Sequence, residues 1–495
     1  MQRTRTVLVS LVTLLVSVAL GLPGAACKKQ PAAGSEVPVD VAPPPPEDVV
    51  PAPVDAGPPL PSEDVAPAPV DAGPPLPSED VAAIPPADAP AVPEASSAAT
   101  PSSAEAAPLT EDEARIVAAA VNGLAGELHP RLAADRTNMA FSPTSIALAL
   151  AMTSGGARGE TADQMNAVLH LGDDPDRARE LLGREQRLLA AATSEKVQLA
   201  IANRLFGERS FSFRQEFVDW TATQYAAPFE PVDFRGAPEP ARGRINDWVR
   251  EQTRNRIPEI LPAAAIDTET RLVLVNAIYF KGQWLLQFEE RATRPRPFTV
   301  ANGTRVEVPM MSRTARHRFA VRDGVKLLEL PYAGEELSMI VVLPPEGQAP
   351  DAWLTAANLE GLGRLPEREV EVWLPRFKLD PPAPTRLKPV LEELGMPRAF
   401  VRGAAEFEGI AEPPDPADRL FVSAVFHRAF VEVNEEGTEA AAATAVVMTR
   451  VTGAMTPPQG PARFHADRPF LFLIRENRTG LVLFVGRVGD PRATG

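Results

Sequence analysis

The chain runs to 495 residues with 54 prolines and a formal net charge of −15. Twenty-two of the prolines fall between Pro31 and Pro108, together with most of the excess acid, so the length resolves into a proline-rich segment and about 385 residues able to bury one large core. That larger part keeps a charge of only about −6, which argues against a nucleic-acid surface, and the lone Cys27 excludes a disulfide framework or a cysteine-rich metal site within one chain.

Arg3 and Arg5 precede an apolar run from Val7 to Leu22, and Gly24, Ala25 and Ala26 lead to Cys27. A basic start, an apolar segment and small residues make a secretory signal over residues 1–27. The run is short for a full membrane span. A cysteine directly after the small residues resembles a bacterial lipoprotein signal, in which that cysteine is lipidated and becomes the new N-terminus; Gly24 stands where such signals usually have Leu. An ordinary cleaved signal and an uncleaved anchor are the alternatives. Residues 28–109 are of low complexity, with APVDAGPPLPSEDVAP (52–67) repeated almost unchanged 16 residues later. So much Pro, Ala and acid cannot bury a core. The segment reads as a polyproline-like tether, reaching roughly 250 Å if fully extended at about 3.1 Å per residue.

Order is expected from Thr110, where Thr110 and Glu113 have capping-box spacing and Val117, Val121, Leu124 and Leu128 form a helical stripe. Phe141-Ser142-Pro143 reads as a strand passing into a helix, with Pro143 in its first turn and Gly155 and Gly156 at its end. Ser142 and Ser145 lie at the helix mouth; no Gly-x-Ser-x-Gly elbow marks either as a nucleophile. Helical patterns follow to about Ala192, then a strand at 199–208 and helices at 213–225 and 245–261. RLVLVNAIYFKGQW (271–284) is a continuous apolar run, as of a strand buried on both faces, and Asn276 inside it needs a partner. Residues 298–380 read mainly as strands and 387–396 as a helix. RLFVSAVFHRAFVEVNEEG (419–437) reads as one long strand containing His427, which has no marked nucleophile to serve as a base. Two apolar strands around 476–480 close the chain. There is no His-Glu-x-x-His or Gly-x-x-x-x-Gly-Lys motif, and only five histidines.

The stretch NEEGTEAAAATAVVM (434–448) follows the long strand. Its alanines favour a helix by propensity. A second reading is a segment able to enter a crowded sheet, since Thr438, Ala440, Ala442 and Thr444 share one face at period two and all are small.

This stretch resembles the reactive-loop hinge of the serpins, the serine protease inhibitor family. NMAFSPTSIALALAMTSGGARGET (138–161), VNAIYFKGQW (275–284) and FHADRPFLFLI (464–474) resemble further blocks of that family in collinear order. The resemblance implies an α+β fold over residues 110–495: a large mixed main sheet, two smaller sheets, surrounding helices and an exposed reactive-centre loop at about 438–463. It implies a suicide-substrate inhibitor of serine endopeptidases rather than an enzyme, with a non-inhibitory serpin-fold surface or binding protein as the alternative. The hinge would comprise Glu435, Glu436, Gly437, Thr438, Glu439, Ala440, Ala441, Ala442, Ala443 and Thr444. The family's shutter would hold Ser142, Ser145, Asn276 and His427, and its breach Trp284. In most inhibitory members the residue before the scissile bond lies fourteen positions after the hinge glycine. From Gly437 that gives Val451–Thr452, with Arg450–Val451 as the alternative. Val451 suits an elastase-like protease better than a trypsin-like one, and a cysteine protease is the further option. No cofactor, metal or nucleic acid is expected; a monomer anchored to a membrane through Cys27, exported to the cell envelope, is.

Overall fold

The computed structural model describes residues 107–413, 415, 418–438 and 460–494. Helix α1 (Glu111–Ala133) begins on the Thr110 capping box and leads to β1 (Met139–Phe141), α2 (Pro143–Ser154), α3 (Gly159–Val168) and α4 (Pro175–Ala191). Next come β2 (Val197–Glu208), β3 (Ser212–Phe213), α5 (Gln215–Tyr225), β4 (Glu230–Val232), α6 (Pro238–Gln252) and β5 (Leu272–Gln283). Strands then dominate: β6 (Arg294–Thr299), β7 (Arg305–Arg322), β8 (Val325–Pro331) and β9 (Leu337–Leu343), followed after the short α7 (Ala356–Glu360) by β10 (Glu367–Pro375), β11 (Phe377–Leu379) and β12 (Thr385–Arg386). Helix α8 (Lys388–Leu394) and β13 (Ala411–Glu412) precede β14 (Val422–Val433), β15 (Gly437–Thr438), β16 (Ala462–His465), β17 (Phe470–Glu476) and β18 (Val482–Val488).

One sheet has the order β11-β14-β15-β5-β2-β4, with β12 also on β14 and β14 pairing directly with β5. A nine-stranded sheet has the order β1-β18-β17-β9-β8-β7-β10-β16, with β6 on β7; β13 and β3 pair separately. The 18-residue β7 makes the nine strands continuous, meeting β6, β10 and β8 in turn along its length.

The first nine residues of β5 are all buried, and the reason is visible in its two faces. Val273, Val275 and Ala277 pack in one core with Ile245, Trp248 and Val249 of α6. Leu274, Ile278 and Phe280 belong to the larger core that includes α2. Every residue of α2 is buried, with Ile146 to Met152 an unbroken apolar run between hydroxyl residues at the two ends. Asn276 has the parity of Leu274 and Ile278 and therefore faces α2.

The long strand expected to run to Gly437 stops at Val433. The Asn434 side-chain oxygen accepts from the N–H groups of Glu436 (3.0 Å) and Gly437 (3.2 Å), and the Asn434 N–H donates to Gly437 O at 2.9 Å. This closed turn competes with strand continuation and sends Gly437 and Thr438 back as β15, antiparallel to β14 with Val433 opposite Thr438.

Candidate functional site

The seam between β5 and β14 carries the residues singled out in the sequence. Its lower part is closed: the two strands pair in parallel from Val422–Leu272 to Phe430–Tyr279, which places His427 opposite Asn276. Across β5, Asn276 faces Asn203 of β2. Ser142 caps α2 beneath them, its hydroxyl oxygen accepting from Ser145 N–H at 3.0 Å.

The hydrogen bonds fix the protons. Ser142 N–H can only donate, so His427 Nε2 accepts from it at 3.0 Å. His427 Nδ1 therefore carries the proton and donates to Asn276 Oδ1. The Asn276 amide nitrogen donates to Ser145 Oγ at 2.5 Å and to Asn203 Oδ1 at 2.6 Å. Ser145 Oγ donates to Asn203 Oδ1 at 3.1 Å, and Asn203 Nδ2 to the Ser145 carbonyl at 3.2 Å. Burial pushes the His427 pKa down to about 3, the bond to Asn276 opposing it only in part. His427 is a neutral strut here. Both ring nitrogens are engaged, so neither is free to take a proton from a nucleophile.

Above Phe430 the strands part, and β15 fills the opening. Gly437 lies opposite Gln283 and Thr438 opposite Gly282 of β5, while Gly282 pairs on its other side with Val197 of β2. Gly437 has to be glycine: an added Cβ would stand 1.9 Å from the Gly282 carbonyl oxygen. Thr438 is fully buried, its hydroxyl 2.7 Å from that of Tyr332. Burial raises the Tyr332 pKa far above the ordinary phenol value, so the ring stays neutral. Trp284 stacks on Tyr332 with centroids 4.7 Å apart. Its backbone N–H donates to Glu436 O at 2.8 Å and its indole N–H to Asn434 O at 3.0 Å. Glu435 is buried and held by the Arg376 guanidinium at 2.6 Å and by the Thr293 hydroxyl, while Phe288 N–H donates to its carbonyl at 2.9 Å.

The Serpin (serine protease inhibitor) family model matches residues 119–491. The chain belongs to the serpin family. A serpin-like protein of Thermococcus kodakarensis is 39% identical over 78% of this chain and 88% of its own length. Leukocyte elastase inhibitor of Xenopus tropicalis is 41% identical over 72% of this chain and 93% of its own. The crystal structure of tengpin, a thermophilic serpin in the native state, superposes with a TM-score of 0.67 at 28% identity, covering 78% of this chain and 95% of tengpin.

In this serpin, Ser142, Ser145, Asn276 and His427 therefore meet in one network, and Trp284 meets Asn434 and Glu436 at the upper opening. Glu439 through Thr444, the Arg450-Val451-Thr452 segment, Cys27 and residues 28–106 of the proline-rich stretch lie outside the described residues. Asn203, Asn434, Tyr332, Arg376 and Thr293 were not picked out from the sequence. Asn203 had a signal: it shares a face with Leu199, Ile201 and Leu205 and is the polar member of that face. Asn434 is a turn former inside a presumed strand. Tyr332, Arg376 and Thr293 reach the hinge from distant strands and loops, and nothing in their neighbourhoods announces it.

Proposed function

We propose that this serpin is a suicide-substrate inhibitor of serine endopeptidases. The target's serine oxygen attacks the carbonyl carbon of Val451. The bond to Thr452 breaks, and the Thr452 nitrogen leaves as an amine carrying the proton, so the enzyme is held as an acyl ester. The chain beyond Thr438 then adds as a strand between β14 and β5 and deforms the attached protease before water can release it.

One observation carries this reading: β15 is already seated between both flanking strands, with Thr438 buried at the point where insertion would begin. The next residues of the same parity are Ala440, Ala442 and Thr444, all small enough to follow. A branched Val at 451 favours an elastase-like target, in keeping with a relative named leukocyte elastase inhibitor. If the bond is Arg450–Val451 the target is trypsin-like. We further propose that Cys27 is the lipid anchor, residues 28–109 the tether, and the cell envelope the location.

The test is incubation of the full chain with elastase-like and trypsin-like enzymes. A covalent complex that survives SDS, with cleavage after Val451 by mass spectrometry, is expected. Plain cleavage, or none, would instead mark a non-inhibitory serpin fold.

A further inference from the structure

Strand β16 is the first element after the segment that carries the proposed scissile bond, and its ladder is slight. It lies at the edge of its sheet and pairs with β10 alone, in parallel, over the four residues Ala462–His465. A parallel pairing is the weaker kind per residue.

Side chains hold the strand instead. Phe464 is fully buried in the large core. His465 has the opposite parity and lies directly across from Trp373 of β10. The two rings are parallel to within 5°, with centroids 3.7 Å apart. The guanidinium carbon of Arg296, from β6, stands 3.7 Å from the centroid of the same tryptophan. With the imidazole covering one face of the indole at that distance, the guanidinium can only cover the other. Arg296 Nε is buried and meets no hydrogen-bond partner among the described residues, so the ring is what the guanidinium is placed against. The Glu371 carboxylate adds a pull on β16, 3.5 Å from His465 Nε2 and 3.6 Å from Arg463 Nε. The stack thus joins β6, β10 and β16, although β6 pairs only with β7. Aromatic stacking and a cation over an indole each add to what burial alone provides.

The length of chain between β15 and β16 shows what this fastening resists. If the register of β15 continues down β5, with Thr438 at Gly282, ten more residues bring Met448 opposite Leu272. That descent is about 33 Å, at about 3.3 Å per residue. In an uncut chain, the 13 residues from 449 to 461 would then have to climb back to β16, and they reach about 45 Å at full stretch. Any sideways offset uses up the remainder, so the pull falls on β16.

We propose that Trp373, clasped between Arg296 and His465, is a positioning residue for inhibition: it pins β16 to β10 and so keeps the intact chain out of the sheet until the scissile bond is cut. The proposal rests on strand addition as the inhibitory step. Once the bond after Val451 breaks, the inserting strand no longer drags β16, and the pin opposes nothing.

The experiment incubates the full chain at 37 °C without any protease and samples it over days. Intact mass, cleavage within 439–459 by brief thermolysin treatment, and the urea midpoint are measured at each time. Wild type should stay cleavable. Trp373→Ala should pass, uncut, into a monomer that resists thermolysin and higher urea, at about tenfold the wild-type rate or more, since the stack it loses is worth about that factor. Trp373→Phe keeps a ring between Arg296 and His465 and should restore wild-type behaviour. A variant that had merely lost stability would be cut more widely and would gain no urea resistance. His465→Ala, which removes one layer, serves if Trp373→Ala does not fold. Conversion of both alanine variants no faster than wild type, or of Trp373→Phe as fast as Trp373→Ala, would overturn the assignment. Wild type nicked by thermolysin separates the two readings. If nicking raises its urea midpoint while the alanine variants do not convert, the pin alone fails; if nicking raises nothing, strand addition fails and the pin with it.

Discussion

Replacing His427 with Ala tests the polar network in two ways, by the size of the loss and by how that loss changes with pH. At pH 8 the substitution leaves Ser142 N–H without its acceptor and Asn276 Oδ1 without its donor, both buried between β5, β14 and α2. Each unsatisfied group costs about 1–3 kcal/mol, so the expected loss is about 2–6 kcal/mol, with water entering the vacated space setting the lower end. The folded pKa of His427 is depressed to about 3 from an ordinary 6.5. For a histidine this means that the folded state prefers the neutral ring. Its contribution is whole above pH 6.5 and is lost as pH falls from there towards 3, because the unfolded chain takes up the proton first. At pH 5 wild type has given up about 2 kcal/mol of stability through this one ring, relative to pH 8. His427→Ala has no such ring, so the gap between wild type and variant should narrow by about that amount. Other shifted groups, Glu185 and His317 among them, act equally on both proteins and cancel in the difference. The assay is urea unfolding of both proteins at pH 8 and pH 5, followed by Trp fluorescence, with native gels for polymers. A variant as stable as wild type at pH 8, or a gap of the same size at both pH values, would show that His427 is not a neutral strut in a closed network.

Thr438→Arg puts a charge at a fully buried position against the Tyr332 hydroxyl, where an unpaired charge is not tolerated; the protease should still cut the chain while the SDS-stable complex disappears, and unchanged trapping stoichiometry would show that insertion begins elsewhere. Gly437→Ala places a methyl 1.9 Å from the Gly282 carbonyl oxygen, so β15 should leave its seat and Trp284 emission should shift to the red; emission identical to wild type would refute that contact. Val451→Asp should abolish trapping of an elastase-like enzyme while Arg450→Ala leaves it largely intact, and the opposite pattern with a trypsin-like enzyme would move the scissile bond one residue back.

The parts of this structure that were legible in the sequence are those where a residue contradicts its surroundings. Asn276 interrupts an unbroken apolar run, Ser142 precedes a proline at a helix start, and His427 alternates with Val425, Ala429, Val431 and Val433; each break demands a partner, and the three find one another. Asn203 was harder because β2 also carries Gln198, Arg204 and Glu208, so one more polar residue in it raises no alarm unless the parity is counted. The turn at Asn434 was missed because the apolar pattern of β14 runs up to Val433 without weakening, and what ends the strand is a side-chain hydrogen bond rather than a change of pattern. The hold on Glu435 by Arg376 and Thr293 depends on chain segments 59 and 142 residues away. No local rule reaches that far.

The two ends of the seam differ in what keeps them as they are. At the top, β15 is fastened by ladder bonds, the Thr438–Tyr332 hydroxyl pair and the Arg376 grip on Glu435, which on the proposed reading is where strand addition begins. Lower down, nothing separates β14 from β5, and on the proposed reading the incoming chain has to part them through the His427–Asn276 pair. An apolar contact there would resist parting in proportion to the area exposed and would accept many intermediate registers. A hydrogen-bonded pair accepts one. It also fails abruptly, because the ring and the amide lose each other completely within a small displacement. Asn276 keeps Ser145 and Asn203 when His427 moves away, and His427 keeps Ser142 only if β14 stays near α2. The network therefore tethers β14 to the helix beneath it as much as to its neighbour strand. Opening the seam at this level therefore costs the bonds of His427 to Asn276 and to Ser142 as well as the ladder between the two strands.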